Sequence, residues 1–138
     1  MRITDKKNSP WENKVNFIDS NDVFVGYDLT QNCCENAGWF ISKEIEYSEY
    51  YKKGFSGDTV FSEIEKDVNK DVSGYVFDVS EIIEYTDPRY GGNSIVVFKM
   101  ICDNKDPLYL HLFNCHNGYY SHGFECTVRG ETFKEGRL

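Results

Sequence analysis

No stretch of this sequence approaches the roughly 20 consecutive apolar residues of a membrane-spanning helix. The opening segment, MRITDKKNSPWENK, also lacks the apolar core of about 7–15 residues found in a secretory signal. A soluble, cytoplasmic protein is therefore expected. Phosphate-binding glycine loops and Walker patterns are missing, and the acids form no paired-carboxylate motif. On those grounds neither an enzyme nor a cofactor is expected. Cys-x-x-Cys and His-x-x-x-His spacings are absent too. The five cysteines, Cys33, Cys34, Cys102, Cys115 and Cys126, are odd in number and lack the framework of a small secreted domain, which points to free thiols in a reducing compartment. Adjacent Cys33 and Cys34 could form only a strained vicinal disulfide. There is no repeat, low-complexity segment or linker, and 138 residues suit one domain spanning residues 1–138.

Aromatic residues are plentiful, with ten Phe, ten Tyr and two Trp, and β-branched residues recur in the same runs. Both favour strands over helices. The expected fold class is α+β: a mainly antiparallel sheet, a meander of about six or seven strands, with one or two short helices packed on it. Met1 to Asn13 reads as a polar lead-in. Lys14 to Asp19 and Asp22 to Asp28 alternate with period two, through Val15 and Phe17 and then Val23, Val25 and Tyr27, and form an opening hairpin around Ser20-Asn21. Thr30 to Gly38 has turn chemistry and leads to a strand at Trp39 to Ser42. Glu44 to Lys53 matches neither period. Asp58 is a good N-cap for a helix from Thr59 to Val68, with Val60, Phe61, Ile64 and Val68 on one face. Strong strand signals follow at Tyr75 to Tyr85, where Tyr75, Phe77, Val79, Ile83 and Tyr85 share a face, and at Ser94 to Ile101. With two strands from Leu108 to Val128, the second half reads as a four-strand meander.

The formal net charge of −8 is unevenly distributed. Between Glu44 and Asp87 lie twelve acids and four lysines, whereas the rest of the chain has eleven of each sign. Such a field repels nucleic acid and anionic membranes, and it steers a basic partner inward at rates that fall with salt.

All three histidines and two cysteines fall in LYLHLFNCHNGYYSHGFECTV, Leu108 to Val128. If Asn117-Gly118 is a type I′ turn, the flanking strands pair and alternation puts Tyr109, His111, Phe113, Cys115, Tyr120, His122, Phe124 and Cys126 on one face. His111, Cys115 and His122, helped by Cys33, are then an alternative metal site, because zinc takes converging N and S donors. Their rows do not converge well, since Phe113 and Phe124 intervene. A packed aromatic and cysteine core with hydrogen-bonded histidines is preferred, with no metal. Cys115, His116 and Asn117 cannot act as a triad, because neighbours on a strand point to opposite faces. Cys115 with His122 has better geometry for a thiol site. His116 and Tyr119 fall at the turn or on the other face, where they are available for recognition.

Two segments carry a resemblance: Cys33-Cys34-Glu35-Asn36-Ala37-Gly38-Trp39 and His116 to Glu125, HNGYYSHGFE. In them the chain resembles an uncharacterised family of small bacterial and phage proteins marked by CCE…GW and HNGYYSHGFE signatures. The resemblance brings no catalytic residue, and it implies that Cys33 and Cys34 meet the C-terminal hairpin in space.

The expected function is that of an acidic intracellular binding protein, an immunity or inhibitor protein that neutralises a basic toxin such as a nuclease. Its partner surface would comprise Glu63, Glu65, Asp67, Asp71, Glu81, Glu84, His116 and Tyr119, and its partner would be a basic protein, not nucleic acid or a membrane. Two alternatives stand beside it. One is a metal- or thiol-dependent site on the hairpin, and the other is a phage accessory protein that interferes with a host factor.

Overall fold

Alternating apolar residues build two sheets in the computed structural model, which describes residues 1–9, 12–30, 36–43, 71–87, 93–115 and 120–138. Nine strands run through these residues: β1 (Arg2–Ser9), β2 (Glu12–Ile18), β3 (Val23–Asp28), β4 (Asn36–Ser42), β5 (Val76–Asp87), β6 (Asn93–Ile101), β7 (Leu108–Cys115), β8 (Gly123–Val128) and β9 (Glu131–Arg137). One sheet has the order β1-β2-β3-β8-β9 and the other β4-β7-β6-β5, with every pairing antiparallel. Among the described residues there is no helix, and so none long and apolar enough to cross a membrane. The expected helix from Thr59 to Val68 lies outside the described residues.

The inner faces meet in a shared core. Val15, Phe17, Val25, Tyr27, Phe124 and Cys126 come from the five-stranded sheet, and Val96, Phe98, Met100, Leu108, Leu110 and Leu112 from the other. Phe17 meets Trp39 edge-on with ring centroids 5.1 Å apart, and Phe98 meets Phe124 at 6.2 Å. Such geometries bring the positive ring edge to the negative ring face. The outward residues of β6 and β7, Ile95, Val97, His111 and Phe113, are buried as well. This explains the apolar run Ile95 to Phe98 in β6, since a strand covered on both faces loses its alternation.

Two polar clamps join the sheets. The buried Asp19 accepts hydrogen bonds at Oδ1 from the amides of Asn21 and Val23, both 2.9 Å, and at Oδ2 from the amide of Phe77, 2.8 Å. One carboxylate thus shapes the β2–β3 turn and holds the start of β5. The Tyr27 hydroxyl donates to the Phe113 carbonyl across the core at 2.7 Å. Tyr27→Phe is expected to cost about 1 kcal/mol, the net worth of one buried hydrogen bond, measured by urea denaturation. A loss near zero would show that the bond adds nothing net.

Several expectations need correction. Leu108 to Val128 is not a hairpin: β7 pairs with β4 and β6, while β8 pairs with β3 and β9 in the opposite sheet. Both edges of β7 are occupied, so β8 has no edge there to join. The meander therefore stops at β5-β6-β7, and the single sheet of six or seven strands becomes two sheets. The two-residue turn with left-handed backbone at both positions is instead Arg129-Gly130, φ 52° and 79°, between β8 and β9. That is the backbone sign a type I′ turn needs. The polar lead-in forms the edge strand β1, where charged residues suit an unpaired side. An irregularity between Asp78 and Ile82 shifts the register of β5, so that Phe77, Val79 and Ile82 all reach the core.

Candidate functional site

The histidines are separated by the topology. His111, on β7, is fully buried; its ring stacks on Phe40 at 4.4 Å and 11°, and its Nε2 lies 3.1 Å from the Ser42 hydroxyl. His122 precedes β8 in the other sheet, with Nδ1 2.9 Å from the Asp28 carbonyl and its ring edge-on to Tyr27. Its backbone exchanges two hydrogen bonds with Leu138, at 2.8 and 2.9 Å. Both imidazoles are thus packed and hydrogen-bonded, as the preferred reading of the aromatic face required, but not on one hairpin face. Among the described residues no three His, Cys, Asp or Glu come together in a group able to hold a metal ion. Cys33, His116 and Tyr119 lie outside the described residues, and Cys115 is placed only as the last residue of β7. Cys126 is buried beside Asp19, and burial together with that negative charge pushes its thiol up to about 11. A thiol so rarely ionised is a poor nucleophile.

The acidic residues divide in the same way. Glu63, Glu65 and Asp67 lie outside the described residues. Asp71 is exposed, and hydrogen bonds from the Ser73 hydroxyl and amide hold its carboxyl below the ordinary value. Glu81 is paired with Lys99 at 2.9 Å, and Lys99 also lies 3.9 Å from Asp78. Glu84 is paired with Lys134 of β9 at 3.3 Å. Two of the expected partner residues are therefore already matched by lysines of this chain.

A different surface stands out on the outer face of the five-stranded sheet. There β2, β3, β8 and β9 form a groove of about 560 Å³, lined among others by Lys14, Asn16, Asp28, Glu125, Glu135 and Arg137. Gly26, Gly123 and Gly136 contribute backbone to it. A Cβ on Gly123 would meet nothing within 4 Å, so the groove is open there; at Gly26 it would lie 2.9 Å from the Phe24 ring. Pairing register sets Lys14 opposite Asp28, Asn16 opposite Gly26 and Glu125 opposite Glu135. Lys14 and Asp28 approach to 3.7 Å, and Arg137 Nη1 donates to the Ser121 hydroxyl at 3.1 Å. Burial alone would raise the Asp28 carboxyl, but hydrogen bonds from the Thr30 hydroxyl and amide, with Lys14 and His122 near, hold it below its ordinary value.

Known protein families, curated proteins and solved structures yield no match to this chain. The site must therefore be judged on its own geometry. Its most unusual element is the glutamate pair: both side chains are exposed, they sit directly opposite on adjacent strands, and neither has an ion-pair partner among the described residues. Like charges directly opposite on neighbouring strands are unfavourable for a sheet. The sequence signal for this groove was glycine within strands, in GFE and KEGR, a sign of close backbone approach. The acids of the middle third dominate the charge and mask that signal.

Proposed function

We propose that the protein is an acidic binding protein of the inhibitor or immunity type, acting in the cytoplasm on a basic toxin such as a nuclease. The observation that supports this most is Glu125 directly opposite Glu135 with no ion-pair contact to either among the described residues, an unfavourable pairing that a partner's positive charge would relieve. The net charge of −8 supplies long-range steering toward such a partner. Phe133, 54 % exposed and the extra residue of a bulge on edge strand β9, offers an apolar anchor on the same strand as Glu135. In this reading Glu63, Glu65, Asp67 and Asp71 add to the attractive field, whereas Glu81 and Glu84 are partly neutralised by their lysines.

The test is association with a panel of purified basic nucleases, followed kinetically at low and high salt, with acidic proteins as controls. One-to-one capture and inhibition of a basic nuclease is expected, with an association rate that falls about tenfold or more as salt screens the charges. If no basic nuclease binds even at low salt, the proposal fails.

A further inference from the structure

We infer that the groove on the five-stranded sheet receives a basic side chain, an arginine or lysine on an extended segment of the partner; this rests on the reading just given. The volume of about 560 Å³ falls within the range of roughly 300–1,000 Å³ typical of small-ligand sites, ample for one long side chain and its flanking peptide groups. The charged side chains lining it are Lys14 and Arg137 against Asp28, Glu125 and Glu135, an excess of one negative charge. Position matters more than that sum. Lys14 faces Asp28, and Arg137, which donates to the Ser121 hydroxyl, keeps its charge two residues from Glu135, so the one uncompensated negative charge of the lining falls on the Glu125 and Glu135 pair. A cationic head belongs there, and a guanidinium can meet both carboxylates through its fork of donors. Its aliphatic stem would lie over the backbone at Gly123, where no side chain stands in the way. Asn16 and Lys14, on the opposite wall, are suited to the carbonyl groups of the segment that carries it.

Gly123 makes the idea testable without disturbing the fold, because a side chain built there enters open space and its backbone is not left-handed. The capped peptide acetyl-Gly-Arg-Gly-amide and its citrulline counterpart, a neutral near-isostere, are titrated into the full chain by NMR. The arginine peptide is expected to bind with millimolar affinity, shifting the amide resonances of Gly26, Gly123 and Gly136, and the citrulline peptide at least tenfold more weakly. Gly123→Leu, which fills the groove, and Glu135→Gln, which removes one charge, should each weaken binding about tenfold while circular dichroism stays unchanged. Equal binding of the two peptides, or undiminished binding by Gly123→Leu, overturns the inference. A basic nuclease that binds wild type and Gly123→Leu equally also overturns it while leaving the inhibitor reading intact. Peptide binding without capture of any basic nuclease supports the groove and rejects the inhibitor reading.

Discussion

Asp19→Ala is expected to remove about 4 kcal/mol of stability, enough to leave a domain of this size close to unfolding. The carboxylate is buried and accepts three backbone amides, two from its own turn and one from Phe77 in the other sheet. Hydrogen bonds to a charged acceptor contribute about 1.5–3 kcal/mol each, and deleting the acceptor strands the donors away from water. The relaxed turn can recover the exposed Asn21 through solvent, but Val23 and Phe77 are interior residues and have no such recourse. Asp19→Asn should cost less, because its amide oxygen still accepts although its NH₂ faces a donor. Urea denaturation with a shared m-value checks both variants. A loss below about 1 kcal/mol for alanine would show that the inter-sheet bond is not a principal clamp.

Phe98→Ala is expected to cost about 3–5 kcal/mol, the range for deleting a buried aromatic ring. Phe98 is 2 % exposed on β6 and contacts Phe77 within its own sheet at 6.1 Å and Phe124 across the core at 6.2 Å. Removing the ring leaves a cavity between sheets whose strands are fixed by ladders on both sides, so the walls cannot collapse inward. Phe98→Leu retains most of the volume and should cost less. As a contrast, Phe133→Ala on the exposed bulge should change stability by under about 0.5 kcal/mol. Thermal and urea unfolding of the three variants test the ranking, and a Phe98→Ala loss no greater than that of Phe133→Ala would contradict the packing described.

The strands of the core were readable because period-two alternation reports directly which side of a strand is buried. Val15, Phe17, Val25 and Tyr27 announced β2 and β3, and the runs around Phe77, Val96 and Leu110 announced β5, β6 and β7. Alternation does not report which strand lies alongside. Asn117-Gly118, a local signal, points to a pairing of β7 with β8, yet β4 and β6 take both edges of β7. The outer strands β1 and β9, RITDKKNS and ETFKEGR, are hard to read as strands because edge strands rich in charge show little apolar rhythm. The candidate site was harder still. Its glycines and charges come from two hairpins distant in sequence, β2-β3 and β8-β9, and the neutralisation of Glu84 by Lys134 exists only once the sheets are packed.

The order β1-β2-β3-β8-β9 has a kinetic consequence. The first three strands are synthesised early, but the neighbour of β3 begins only at Gly123, after the whole four-stranded sheet. Until then β3 carries an open ladder edge beside Val25 and Tyr27, and closing the seam from Val23↔Val128 to Tyr27↔Phe124 requires one of the longest loops the chain can form. Closure on that scale is slow because its entropy is lost before any contact compensates. The seam between β3 and β8 is thus the place where this protein's folding rate is set and where a nascent chain is most open to pairing with the wrong strand.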